Sequence, residues 1–133
     1  MPQLQTLVLK DRASTPVSHT FAPRDITGNV GKVVASTGVP VGEKTYTVSL
    51  RQTPDNGRFR VQLRMAVPTV QNQDIGGVIN PIVTRTAYVD ATFTFDRTST
   101  EQERKDVVGM FQDSLDSSKA LTNGVLVNLE GVY

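Results

Sequence analysis

Two neighbouring stretches place arginines and short hydroxyl or amide side chains at every second position. Thr45, Thr47, Ser49 and Arg51 alternate with Tyr46, Val48 and Leu50. Arg58, Arg60, Gln62 and Arg64 alternate with Phe59, Val61, Leu63, Met65 and Val67. A third stretch alternates Tyr88, Asp90, Thr92 and Thr94 with Ala87, Val89, Ala91, Phe93 and Phe95. A period of two is that of a β-strand, so each set falls on its own face of a sheet. Arginines bind phosphate, small polar groups read base edges, and an exposed tyrosine stacks an unpaired base. One reading of the polar set is therefore a platform for single-stranded or hairpin RNA. The other is a solvated sheet face with no ligand, since alternation by itself predicts a polar outer side. The residues serve both equally.

Other chemistry is excluded more sharply. Cysteine is absent, which removes disulfides, thiol catalysis and Cys-ligated zinc. The single histidine, His19, reads as an exposed residue near a turn and leaves little scope for a histidine-based triad. No phosphate-binding glycine loop, HExxH or GxSxG occurs. Asp55, Asp74, Asp90 and Asp96 form no spaced acid pair. The expectation is a protein that is not an enzyme and holds no metal or cofactor.

The chain has 133 residues and a net charge of +1, with 38% hydrophobic and 20% charged residues. That length suits about one domain with a real core. The balance suits a soluble globular protein rather than a disordered one. Charge is unevenly distributed. Residues 51–64 carry four arginines against Asp55, and residues 99–119 carry an acidic excess. The basic stretch fits an anion on one surface, and a solvated hairpin also accounts for it. The apolar runs fall far short of the roughly 20 residues of a membrane span. Met1-Pro2-Gln3-Leu4 lacks the basic start and apolar stretch of a signal peptide.

The elements that must position these residues are mostly strands. Leu4–Lys10 and Val17–Ala22 read as a hairpin, residues 23–31 as a connection, and Lys32–Thr37 as a strand ending at Gly38-Val39-Pro40. Pro54-Asp55-Asn56-Gly57 supplies the turn between the two clearest strands. Residues 68–81, with Pro68, Gly76, Gly77 and Pro81, read as a long loop, and loops of that length are usually functional or disordered. Ile82–Phe95 is a further strand. The period then changes. Ser99/Gln102 and Thr100/Glu103 both have capping-box spacing. Val107, Val108, Phe111 and Leu115 follow on one helical face, and a second short helix fits residues 121–129. Helices that come after all the strands must cover the apolar sheet face, giving an α+β layer pair. The polar face stays open, and the last strand leaves an edge that a two-fold dimer joined edge to edge would remove.

Several stretches together resemble the coat proteins of the small single-stranded RNA bacteriophages, the leviviruses. They are Val83 to Phe95 with Ser99 to Arg104, Val48 to Gln52, the Pro68–Gly77 segment, Leu4 to Arg12, and Glu130-Gly131-Val132-Tyr133. The likeness runs along the whole chain in matching order. It implies a single coat-protein domain: an N-terminal β-hairpin (1–22), a five-stranded antiparallel sheet (32–95) with its long loop, and two C-terminal helices (99–129). It implies a homodimer with one continuous sheet, each subunit's helices over its partner. Such dimers assemble in the host cytoplasm into an icosahedral (T=3) shell around the genomic RNA, with the long loop near the five-fold and quasi-six-fold axes. It further implies that the open face binds an RNA hairpin, repressing replicase translation and directing packaging. No membrane, small-molecule substrate or cofactor is implied.

By the same correspondence Thr47 and Ser49 line an adenine pocket, with Arg51 two residues on. Tyr88 is the base-stacking tyrosine and Asp90 its polar neighbour. Aligned from Pro68, Gln62 and Arg64 are the inward pair of the returning strand; aligned from Phe59, Arg60 and Gln62 are. Lys32 falls at the pocket edge. Thr45 and Arg58 share the face. With no cysteines, a shell of this chain rests on non-covalent contacts. The alternative is an RNA-binding or adaptor module that forms no shell.

Overall fold

The structure, a computed structural model, describes residues 3–36, 41–54 and 57–133. The chain divides into two compact units, Met1–Thr94 and Phe95–Tyr133. The first unit is a meander of six strands in sequential order: β1 (Leu7–Lys10), β2 (Ser18–Thr27), β3 (Val30–Ala35), β4 (Lys44–Gln52), β5 (Phe59–Ile75) and β6 (Val78–Phe95). Every registered pair is antiparallel. The second unit holds α1 (Glu101–Ser114) and α2 (Ala120–Leu126). The expected antiparallel sheet followed by two helices is therefore what forms, with the first hairpin continuous with the sheet.

Two expected loops are strands instead. Residues 23–31 were expected to connect elements, because Pro23, Gly28 and Gly31 read as breakers. In fact β2 continues through Pro23 to Thr27 and pairs with β3, with a register shift between Pro23 and Asp25. The extra residue there is Arg24, which ion-pairs with Glu43 at 3.3 Å. A bulge re-aims a side chain in this way. Gly28 (φ 59°) and Asn29 (φ 64°) then form the two-residue turn. Two successive positive φ values mark a type I′ turn, whose twist matches the strands it joins.

Residues 68–81 are likewise not a loop. β5 runs on to Ile75, and β6 begins at Val78 after Gly76 (φ 60°) and Gly77 (φ 85°), a second turn of the same kind. Asp74 Oδ1 accepts from the Gly77 amide at 3.1 Å, and Thr84 Oγ1 donates to the Thr69 carbonyl at 3.2 Å. Pro68 is tolerated because the β4–β5 register ends at Thr45–Ala66. Beyond that point the β4 side of β5 needs no amide donor. The tips expected at Gly38-Val39-Pro40 and Asp55-Asn56 lie outside the described residues. Below the second tip, Thr53 N donates to the Arg58 carbonyl at 2.8 Å.

Burial is sparse. Among the described residues the buried apolar side chains are Phe21, Val33 and Val34. Tyr46 lies opposite Val33 and Met65, and its burial raises the phenol above its usual pKa. Gly31 leaves room for Leu4, whose Cδ1 would lie 3.1 Å from a Cβ at that position. Val48, Leu50 and Val89 on the same apolar side remain exposed.

In the helical unit Thr100 is the N-cap, its hydroxyl accepting from the Glu103 amide at 3.2 Å. Ser99 has another task. Its hydroxyl donates to the Asp96 carbonyl at 2.7 Å, and its carbonyl accepts from Arg104 at 2.7 Å. Of the two candidate spacings, the structure uses Thr100 rather than Ser99 as the N-cap. Glu101 and Glu103 in the first turn also favour the helix dipole. Neither helix has a buried residue, and Val107, Val108, Met110, Phe111 and Leu115 are all exposed on α1.

His19 does lie beside a turn, at the start of β2, but it is half-buried rather than exposed. Its Nε2 meets Asp11 Oδ2 at 2.9 Å, while Asp11 Oδ1 accepts from the Ala13 and Val17 amides at 3.1 and 3.0 Å. The Val17 bond, then His19, then Ala13 hold the Asp11 carboxyl down to about 2. A carboxyl whose folded pKa is depressed stabilises the fold above its unfolded pKa of about 4. That contribution is lost as pH falls toward 2. Hydrogen-exchange protection at the Val17 amide should therefore drop between pH 4 and 2, and Asp11→Asn should flatten the dependence. Equal protection at both pH values in the unsubstituted chain would refute this.

Gly42 gives a second prediction. Its φ is 86°, and a Cβ there would overlap the Val70 side chain. Gly42→Ala should destabilise by about 1–3 kcal/mol, read as a lower Tm.

Candidate nucleic-acid interface

The register converts the alternating pattern into rows across the sheet. Lys32, Thr47 and Arg64 stand directly opposite one another on β3, β4 and β5. The next row is Val30, Ser49 and Gln62, and the one beyond it is Arg51 and Arg60. In the other direction Thr45 sits between Val34 and Ala66, so it marks the apolar border of the patch. Asp25 on β2 is the register partner of Lys32 and extends the central row outward.

The fourth strand of the face is β6. Asp90 reaches back to β5, its Oδ2 lying 3.5 Å from Arg64 Nε. The Gln62 amide lies between these groups. Its nitrogen is 3.3 Å from Asp90 Oδ1, and with the amide turned over its oxygen accepts from Arg64 at 2.7 and 3.1 Å. A guanidinium has donors only, so it favours the turned orientation, in which Gln62 gives up its bond to Asp90 for the bonds from Arg64. Both members of the Arg64–Asp90 pair are more than half exposed. Such a pair contributes about 0–1 kcal/mol and is open to exchange for another anion. Two residues before Asp90, Tyr88 is 79% exposed.

Arg51 and Arg60 are a further feature. Like charges directly opposite on a ladder destabilise a sheet, and an anion between them removes the penalty. Arg58 precedes β5, and its carbonyl accepts from the Thr53 hydroxyl at 3.2 Å.

Lys32, Thr47, Ser49, Gln62, Arg64 and Asp90 are thus contiguous. Of the two candidate inward pairs, Gln62 and Arg64 stand opposite Ser49 and Thr47, and Arg60 stands one row away beside Arg51. The Asp90 contact to β5 has no local signal in the sequence, because its partners are 26 and 28 positions away. Asp25 was also missed, since β2 was expected to end at Ala22. Complementary charge was the only clue to either.

Among the described residues there is no cluster of three or more metal-ligating side chains and no helix long and apolar enough to cross a membrane. What the fold and this face define is an α+β protein with one polar, arginine-bearing sheet face and apolar surfaces left unfilled. The chain belongs to the levivirus coat protein family, whose profile matches residues 2–133. It is 53% identical over 131 residues to the capsid protein of Pseudomonas phage PRR1, covering 98% of this chain and 99% of that one. It is 37% identical over 101 residues to the capsid protein of Escherichia virus Qbeta, covering 75% and 67% respectively. The fold matches the virus-like particle of bacteriophage ESE058 with a TM-score of 0.83 at 21% identity, over 99% of this chain and 100% of that one. The family is one of structural capsid proteins, components of the bacteriophage virion.

Proposed function

We propose that this chain forms a homodimer joined through the β6 edges and assembles into an icosahedral shell around viral RNA in the host cytoplasm. We further propose that its polar sheet face binds an RNA hairpin, repressing replicase translation and directing packaging. The observation that carries assembly is the missing core. Among the described residues three apolar side chains are buried, while Phe111, Leu115, Leu121, Val125, Val48 and Leu50 are exposed. Exposed apolar surface on this scale marks an interaction site. The relatives are capsid proteins, and similar folds occur in virus-like particles. The β6 edge supports the dimer, because a long unpaired strand is a template for pairing with a second copy.

The RNA reading rests on the polar face. Thr47 and Ser49 present hydroxyls to a base turned out of its stack, and Tyr88 offers a ring for stacking. Arg51, Arg60 and Arg64 meet phosphates, with Arg58 at the hairpin end and Lys32 and Thr45 at the patch borders. Gln62 and Asp90 orient Arg64.

Sizing the purified chain tests assembly. A particle of megadalton mass supports the shell, and a small species at every concentration supports a non-assembling RNA-binding module. In the dimer, Phe111→Ala should cost about 3–5 kcal/mol, as large core truncations do. A folded monomer that survives dilution to nanomolar concentration would sink the dimer.

The face itself predicts a division of roles. Tyr88→Ala should lose about 1–3 kcal/mol of binding to the cognate hairpin, with little effect on a scrambled one. Arg51→Ala or Arg60→Ala should weaken both RNAs alike and reduce the salt slope by about 1. Filter binding of both RNAs across a salt series checks this. If Tyr88→Ala weakens the two RNAs equally, the roles are wrongly assigned.

A further inference from the structure

The β4–β5 register ends at Thr45–Ala66, and beyond it β5 and β6 run on as a two-stranded arm. A cavity of about 390 Å³ lies where this arm leaves the start of β4. Val41 and Lys44 line it on one side, and Pro68, Val70, Asn72 and Pro81 line it from the arm. Its position has a local cause. Gly42 (φ 86°) stands so close to Val70 that a Cβ there would overlap the valine side chain. The two walls touch at that point with no ladder register joining them, and the space beside the contact stays open.

The lining has one dominant character. Val41, Pro68, Val70 and Pro81 are apolar, Asn72 is an amide, and Lys44 is the only ionisable residue among them. The acid next to it in sequence, Glu43, is paired with Arg24 at 3.3 Å. Lys44 has no carboxylate partner among the described residues. An apolar cavity of a few hundred Å³ with a small number of polar groups is the usual form of a small-molecule site.

The same lining narrows the occupant. A peptide strand would need backbone donors along the rim, and Pro68 and Pro81 have none. A nucleic-acid backbone would bring a row of phosphates to a single cation. A neutral apolar molecule would cover Lys44 and leave its ammonium without a partner, which is costly. A compact molecule with an apolar body and one negative charge meets all of these conditions. Lys44 and the Asn72 amide are donors for its two oxygens.

We infer that this cavity binds a small amphiphilic anion, a carboxylate on an acyl chain of medium length, with the carboxylate at Lys44 and Asn72 and the chain against the valines and prolines. The walls belong to two segments that no ladder joins, so the occupant also ties the arm to the start of β4.

Equilibrium dialysis of labelled octanoate against the full chain, as the small species and as particles where these form, tests this. Octanoate should bind saturably, one per chain. Affinity should rise about fourfold per added methylene from butanoate to octanoate, the fold-change that about 0.8 kcal/mol per buried CH₂ gives. Octanol has the same body without the charge and should bind at least tenfold more weakly. Lys44→Gln should abolish the preference for the acid over the alcohol, and Val70→Asn should weaken both, with circular dichroism confirming that each variant keeps its fold. Hydrogen exchange at the Val70 and Asn72 amides should slow when octanoate is present. Binding that never saturates would overturn the inference. So would equal affinity for octanoate and octanol, or a Lys44→Gln variant that still prefers the acid. Displacement of octanoate by an equimolar short single-stranded RNA would assign the cavity to nucleic acid and overturn it too. Sizing reads shell formation separately, so the failure of either reading is distinguishable from the failure of the other.

Discussion

The two faces of the β-pleat differ in chemistry, and the rest of this protein depends on that difference. Each strand sends alternate side chains to opposite sides. On β4 one side carries Tyr46, Val48 and Leu50, and the other Thr45, Thr47, Ser49 and Arg51. Removing the first set from water is the main source of stability available to such a chain. Yet among the described residues of one chain the buried apolar side chains are only Phe21, Val33 and Val34. In the proposed homodimer, folding is coupled to association and stability becomes a function of concentration.

The polar face meets a different constraint. Its groups must be held in place without being used up by one another. The Arg64–Asp90 pair meets that requirement, because at 3.5 Å and more than half exposed it positions a guanidinium at small cost and leaves it open to another anion. Arg51 opposite Arg60 works in the opposite sense, as a stored repulsion that an anion relieves. Both effects are set by register. A slip of one residue would move the whole polar set to the apolar side.

Register in turn is set by the hairpin ends. Gly28-Asn29 and Gly76-Gly77 take up the paired positive φ values that join strands of the normal twist. The bulge at Arg24 shifts β2 against β3, brings Asp25 opposite Lys32, and sends Arg24 toward Glu43.

By itself the sequence determined the faces and the class of element. Alternation marked β4, the paired part of β5 and the later part of β6. Helical spacing of Val107, Phe111 and Leu115 marked α1, and Thr100/Glu103 marked its start. Each is a local signal, carried by the period of one backbone conformation. Where strands ended was less legible. Proline and glycine at 23–31 and 68–81 have the same local meaning in a loop, at a bulge and on an unpaired edge, and only the neighbouring strand distinguishes these. The tertiary structure alone decided which side chains meet. Asp90 against Arg64 and Gln62, Asp11 against His19, and Thr47 between Lys32 and Arg64 depend on strand pairing across up to 28 positions, which no local period encodes.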